Sequence, residues 1–192
     1  SQAELLTMQR APLADRALNH LTAGATAASL AEFNALGSND TARLTAFVDQ
    51  QLNPSAIDDS ALDARLNGAG YTTLNKSLTQ LWADHRIVTT DSSAPARETQ
   101  RAALVRAVYS RRQLQEVMVD FWQNHFNVAI TNSGAAPVYV HYNRDVIRAN
   151  SLGNFRTMSC SKCAGTVTAP GVPICAGACS TTSRSRSVAF SV

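Results

Sequence analysis

The sequence predicts an irregular all-α domain with short turns, followed by a tail of different composition. Apolar residues recur at three- and four-residue spacing over most of the first 156 residues, which is typical of helices that bury one face. Gly, Pro, Asn and Asp separate these stretches at positions that suit helix ends. No segment repeats with a period of roughly 20–50 residues, so the sequence does not indicate a solenoid.

Three helices are predicted in the first part of the chain, in "APLADRALNHLTAG", "TAASLAEFNALG" and "NDTARLTAFVDQQLNP". The first two end in a glycine, which is common just after the last turn of a helix. The third opens on Asn39 or Asp40 as a cap, and Pro54 ends it because proline cannot continue a helix.

The middle of the chain predicts two shorter helices and then a long helical region. The shorter ones are "DDSALDARLNGAG" and "TTLNKSLTQLWADH". "TTDSSAPARE" is typical of a loop, and the long region then runs from about Pro95 to His125, with a bend expected at Tyr109 and Ser110. "VYVHY" contains strand-forming residues, but it runs into "NRDVIRAN", whose spacing is helical, so the strand signal is weak.

The stretch "RRQLQEVMVDFWQNHFNV" groups acids, aromatic rings and a histidine on one predicted helix. A helical wheel of about 100° per residue places His125 on the apolar face and Glu116 and Asp120 on the opposite face. We interpret the apolar face as a buried spine that encloses the His125 imidazole, and the two acids as solvated, with Arg112 as a partner for Glu116. The other members of the apolar face are Leu114, Val117, Met118, Phe121 and Trp122.

A second histidine supplies a different hypothesis. His141 and Asp145 are four residues apart, a spacing that brings an imidazole and a carboxylate together on a helix and could form half of a metal site. His125, His141 and Asp145 are therefore the candidate catalytic residues. The sequence contains no H-x-x-H or H-E-x-x-H arrangement, no G-x-S-x-G elbow, no P-loop and no dinucleotide fingerprint.

The positive charge of the chain is confined to its tail. The net charge is +3, and residues 159–192 contain three basic residues and no acid, so the preceding 158 residues are neutral. A nucleic-acid partner would require clustered basic residues on one face, and none is predicted. No run approaches the ~20 apolar residues of a membrane-spanning helix.

Three blocks of this sequence resemble a bacterial family catalogued as "domain of unknown function 1800". "LQEVMVDFWQNHFNV" resembles its E-x-M-x-x-F-W-x-N-H-F signature, and "RDVIRANSLGNFR" resembles its R-x-x-I-R-x-x-x-L-G-N-F-R segment. "FVDQQLNPSAIDDSAL" resembles its early wvdqQL-P-x-x-idD block. The resemblance covers about Pro12 to Arg156 and breaks off at Thr157. The matching positions of the first two blocks are Glu116, Met118, Phe121, Trp122, Asn124, His125, Phe126, Arg148, Gly153, Asn154 and Phe155.

The resemblance implies a mostly helical protein that bacteria export, and it brings no catalytic residue with it. Family members continue for a few hundred residues, so we expect this chain to be a truncated, N-terminal part of a larger family domain. Its expected role is that of a structural or interaction module in the periplasm or outside the cell, with a protein partner and no cofactor. The alternative is a truncated module of a metal-assisted hydrolase-like enzyme that uses His125, His141 and Asp145.

The tail is expected to be separate from the helical domain of residues 1–158. It contains all the cysteines of the chain, which are Cys160, Cys163, Cys175 and Cys179. They could form a four-thiolate zinc site or two disulfides in an oxidising compartment. A third interpretation is out-of-frame translation, because GC-rich coding in the wrong phase yields this low-complexity mixture of Ala, Gly, Ser, Arg, Pro and Cys. Without metal or disulfides, so few large apolar residues predict disorder.

Overall fold

The computed structural model describes residues 11–88, 91–130 and 134–158, and these residues form helices and turns without a strand. The all-α prediction is therefore confirmed for this part of the chain. The longer helices are α1 (Leu13–Leu21), α2 (Ala27–Ala35), α3 (Asp40–Gln51), α4 (Ser60–Gly68), α5 (Leu78–Trp82), α6 (Ala94–Tyr109) and α7 (Gln113–Phe126). None of the helices in the described ranges is both long and apolar enough to cross a membrane. The tail and its cysteines lie outside the described residues.

The first three helices pack around a small apolar core. Leu18 of α1, Phe33 of α2 and Phe47 of α3 are buried together, and the two phenylalanine rings lie 5.6 Å apart between centroids. Asn39 caps α3, because its side chain accepts a hydrogen bond from the backbone N–H of Ala42 at 2.9 Å. Of the two caps that the sequence allowed, the structure therefore selects the asparagine.

Helix α5 begins later than predicted, and the chain continues from it directly as a π-helix at Ala83–Ile87. It begins at Leu78, after a capping box in which Ser77 and Gln80 exchange side-chain and backbone hydrogen bonds. The preceding residues are not helical, because the backbone N–H and the hydroxyl of Thr73 both donate to Glu98 of α6, at 2.7 and 2.6 Å. This contact with a residue distant in sequence competes with local helix formation.

The long helical region predicted from Pro95 to His125 is two helices. Between α6 and α7 the chain is extended at Ser110, with φ −69° and ψ 140°. Asp59 fixes this break, because it accepts hydrogen bonds from the Ser110 hydroxyl at 2.6 Å and from the Arg111 N–H at 2.8 Å. The Gln51 side chain donates a hydrogen bond to the Arg111 carbonyl at 3.0 Å and accepts one from the Leu114 N–H at 3.1 Å. The end of α3 and the start of α4 thus set the direction in which α7 leaves.

The "VYVHY" stretch belongs to a helical segment that changes pitch along its length. A 3-10 turn at Ala136–Val138 leads into one α turn at Tyr139–His141 and then into a π-helix at Tyr142–Arg148. The helical spacing thus prevails over the weak strand signal. Ile147 of this segment is buried with Val119 of α7 and with Met158, which makes the segment the main packing partner of α7 on that side.

Candidate functional site

Helix α7 is rotated about its axis relative to the predicted orientation. Its buried residues are Val119 and Glu116, and Glu116 is only 9% exposed. Phe121 is 50% exposed, and His125 is exposed as well. The prediction that both lie in a buried spine is therefore wrong. The segment that contains Arg148 packs against the face of α7 that carries Glu116 and Val119. The sequence of the helix alone does not predict which face this segment covers.

Glu116 is held in a buried ion pair. Arg148 donates to its two carboxylate oxygens at 2.6 and 2.7 Å, in a bidentate arrangement. The predicted partner, Arg112, donates instead to the carbonyl of Ile57. Burial, and after it the charge of Arg148, lower the pKa of the Arg106 guanidinium to about 10, and the charge of Glu116 acts in the opposite direction. The prediction of a solvated Glu116 is thus wrong.

Asp120, the other acid of the predicted solvated face, is exposed as expected. It accepts a hydrogen bond from Asn124 at 3.1 Å, one turn further along α7. Among the residues that the structure describes, it has no cationic partner within ion-pair distance.

Aromatic contacts join α7 to the chain after Arg148. The indole N–H of Trp122 donates to the carbonyl of Ser151 at 3.0 Å. The ring of Phe155 lies 5.6 Å from that of Trp122 and 6.1 Å from that of Phe126. The block on α7 and the block that contains Arg148, both parts of the family resemblance, are therefore joined by an ion pair, a hydrogen bond and ring contacts.

The outer side of this contact is a continuous aromatic surface, which we call the aromatic face. Within it the Phe121 and His125 rings are nearly parallel, at 17° and 5.8 Å, and Phe121 also packs edge-on against Trp122 at 4.9 Å. Phe155 is 53% exposed. The aromatic face consists of Phe121, Trp122, His125, Phe126 and Phe155.

The structure brings His141 and Asp145 together. The His141 Nδ1 lies 2.7 Å from a carboxylate oxygen of Asp145. Arg144 donates to both oxygens of the same carboxylate at 2.7 Å. The hydrogen bonds from Arg144 hold the pKa of Asp145 below its usual value, against the effect of burial and with further help from His141. The other ring nitrogen, Nε2 of His141, is buried and has no hydrogen-bond partner within the described ranges.

His125 does not join this pair. Its ring contacts are with the neighbouring rings of α7, and no group of three or more His, Cys, Asp or Glu that could hold a metal ion occurs in residues 11–88, 91–130 and 134–158. The three candidate catalytic residues are thus divided between the aromatic face and a separate His141–Asp145 pair.

A groove between α6 and α7, which the sequence analysis missed, lies on the opposite side of α7 from the aromatic face. Its volume is about 890 Å³. At its base Gln123 donates to the Tyr139 hydroxyl at 2.6 Å and accepts from Asn143 at 2.7 Å, and burial raises the pKa of Tyr139. The signal for it was a stripe of polar residues at helical spacing on each helix. The walls include Arg97, Gln100, Arg101 and Leu104 of α6, and Glu116, Asp120, Gln123 and Asn124 of α7.

Comparison with known proteins confirms the family of the resemblance and extends the match beyond Thr157, where the resemblance was expected to break off. A family model described as "Protein of unknown function (DUF1800)" matches residues 16–162, which include all three signature blocks. No curated protein and no solved structure matches the chain. The matched region is well over half of the 192 residues. The chain therefore belongs to the DUF1800 family of proteins of unknown function.

Proposed function

We propose that the helical domain is an interaction module of an exported bacterial protein, and that the aromatic face binds a protein partner. The observation that carries this proposal is the exposure of Phe121 and Phe155 within one continuous set of rings. Isolated exposed apolar residues are ordinary, whereas a contiguous exposed patch usually marks a contact surface.

The chemistry of the aromatic face suits a protein interface. Aromatic side chains are enriched at the centres of such interfaces, because they bury a large area and lose little conformational entropy. Here Trp122 and Phe126 are partly buried, so the rings above them rest on an ordered base. The His125 imidazole adds a polar group at the edge of the apolar surface.

Photo-crosslinking tests the proposal. A benzophenone amino acid is placed at position 121 or 155 of the full chain, and the protein is produced in the organism that encodes it. Both positions are expected to give the same adduct, because they belong to one surface. The Phe155→Ser change should also weaken crosslinking from position 121 by removing part of the shared contact area.

A matched control uses Leu52, an exposed apolar residue at the end of α3 and outside the aromatic face. Benzophenone at that position should not give the adduct. The proposal fails if positions 121 and 155 give no adduct, or if position 52 gives the same one with equal yield.

Export is tested separately, because it follows from the family resemblance and not from the aromatic face. Cell fractionation with an antibody against the chain should place the protein in the periplasm or the medium. Its recovery in the cytoplasm alone would refute export and leave the interaction proposal standing.

The His141–Asp145 pair supports a second candidate function, metal-assisted hydrolysis. In the neutral tautomer that donates its Nδ1 hydrogen to Asp145, the imidazole has its lone pair on Nε2, which is the arrangement found in histidines that bind metals. Titration with Zn²⁺, followed by the NMR signal of this imidazole, tests the idea. A selective shift that His141→Gln removes and His20→Gln retains supports it, and an unchanged His141 signal rejects it.

A further inference from the structure

The α6–α7 groove has the form of a site for a third helix. The α6 residues that line it follow a three- and four-residue spacing, from Arg97 through Arg101 to Ala107, and the α7 residues do the same from Glu116 to Asn127. Each wall is therefore one face of a helix, about 15 Å long at 1.5 Å per residue. The matching length of a bound helix is about ten residues, or three turns.

Small and apolar side chains line the groove between its polar rims. Ala103 and Ala107 of α6 face it together with Val117 and Val119 of α7. Small side chains permit a close approach between helix axes. Leu104 also lines the groove and is 70% exposed, so an apolar stripe on a bound helix would cover it.

The two walls differ in charge. On α7, Glu116 is neutralised by Arg148, which leaves Asp120 as the negative group. On α6, Arg97 is paired with Asp91, and Arg101 has no ion-pair partner within the residues that the structure describes. Within the described part of the chain, Arg101 is thus an unpaired cation on the α6 side of the groove, and Asp120 is an unpaired anion on the α7 side.

We propose that the α6–α7 groove binds an amphipathic helix of a protein partner, with an acidic flank against Arg101 and a basic flank against Asp120. The charges of the two walls select both the partner and its orientation, because a reversed helix would place like charges together. This site goes beyond the aromatic face, which lies on the other side of α7.

Synthetic helical peptides of about 12 residues provide the probe. One peptide has a central apolar stripe with Glu on the flank that faces α6 and Lys on the other, and a second has the same composition with the flanks exchanged. Fluorescence anisotropy with the full chain should show tighter binding of the first. The Arg101→Glu variant should bind that peptide about five- to ten-fold more weakly and should bind the exchanged peptide more tightly.

Two further variants separate groove binding from other effects. Ala103→Phe fills the groove and should abolish binding, whereas Ala61→Phe, on an exposed site of α4, should not. Phe121→Ser should leave binding unchanged, because it alters only the aromatic face. The proposal is overturned if neither peptide binds, if Arg101→Glu does not change the preference, or if Ala103→Phe binds as well as the unmodified chain.

Discussion

Glu116 places a largely buried negative charge against the guanidinium of Arg148. It binds Arg148 directly and attracts Arg106 more weakly. A buried ion pair contributes little net stability when complete, because desolvation offsets the attraction, but the loss of one partner leaves an uncompensated charge. Glu116 therefore matters mainly because its absence would leave Arg148 without its carboxylate partner.

The Glu116→Gln variant is expected to lower the free energy of unfolding by about 3 kcal/mol, since it leaves the partly buried Arg148 without a carboxylate. Urea denaturation followed by circular dichroism measures this loss. Glu32→Gln is the control, because Glu32 is exposed and lies 4.0 Å from Arg111, so its effect should stay within about 0.5 kcal/mol. Equal effects of the two changes would contradict the role of Glu116.

Asp145 makes stability depend on pH. Its pKa lies below the ordinary 3.8, chiefly because Arg144 donates to the ionised form. A carboxyl group whose pKa is lower in the folded state stabilises the fold at pH values above its unfolded-state pKa. That contribution is lost as the pH falls through its folded-state pKa.

We therefore expect the free energy of unfolding to decrease as the pH is lowered beyond about 4. The decrease should be less steep in the Asp145→Asn variant. Urea denaturation at several pH values between about 5 and 3 measures the two slopes. Asp49→Asn, at an exposed position of α3, should keep the slope of the unmodified chain. Identical slopes for all three proteins would exclude Asp145 as a source of the pH dependence.

At the scale of the helices, the break between α6 and α7 organises the domain. Gln51 and Asp59, which lie in the early block of the family resemblance, bind the backbone on both sides of Ser110. The other two blocks join α7 to the segment that contains Arg148. All three blocks thus have a structural explanation in the placement of a single helix.

The Asp59→Ala variant should lower the free energy of unfolding by about 3 kcal/mol, because the buried Ser110 hydroxyl and the Arg111 N–H both lose a charged acceptor. Thermal or urea unfolding checks this value. Its neighbour Asp58 is exposed and accepts from the Ser60 N–H, so Asp58→Ala should have a much smaller effect on the free energy of unfolding. A larger effect at Asp58 would argue against the role of Asp59.

Local sequence predicted most helix ends and missed the orientation of α7. The cap at Asn39 depends on residues within a few positions, and patterns at that range are visible in a sequence. The bend expected at Ser110 is present as well, but Asp59, which is distant in sequence, fixes it. The burial of Glu116 depends on Arg148, 32 residues away, and no helical wheel includes such a partner. The same limit applies to α5, whose start depends on a contact with Glu98.

For the whole molecule, the candidate sites also divide into one that local sequence predicts and others that depend on residues distant in sequence. The His141–Asp145 pair lies within one turn, so the sequence predicted it. The aromatic face and the α6–α7 groove require elements that meet only in the folded chain. Even so, both surfaces use α7, which separates an exposed aromatic surface from a charged one on its two sides.

The described helices are expected to unfold as one cooperative unit, because α3 and Asp59 are bonded to the start of α7. Leu18→Ala in the first core should lower the stability by about 2–4 kcal/mol. It should shift the unfolding curves measured by circular dichroism and by Trp122 fluorescence together, although Trp122 is remote in sequence from Leu18. The measurement uses a Trp82→Phe background, so that Trp122 is the indole that is observed. Separate transitions from the two signals would show independent units.

The crowding of rings around His125 also has a spectroscopic consequence. Three aromatic rings have their centroids 5.3, 5.7 and 5.8 Å from the imidazole. Ring currents should displace the carbon-bound protons of this imidazole from the positions that they have in a free histidine. A ligand that covers the exposed rings would displace them again. One residue thus provides an intrinsic magnetic reporter for occupation of this surface, and no label needs to be introduced there.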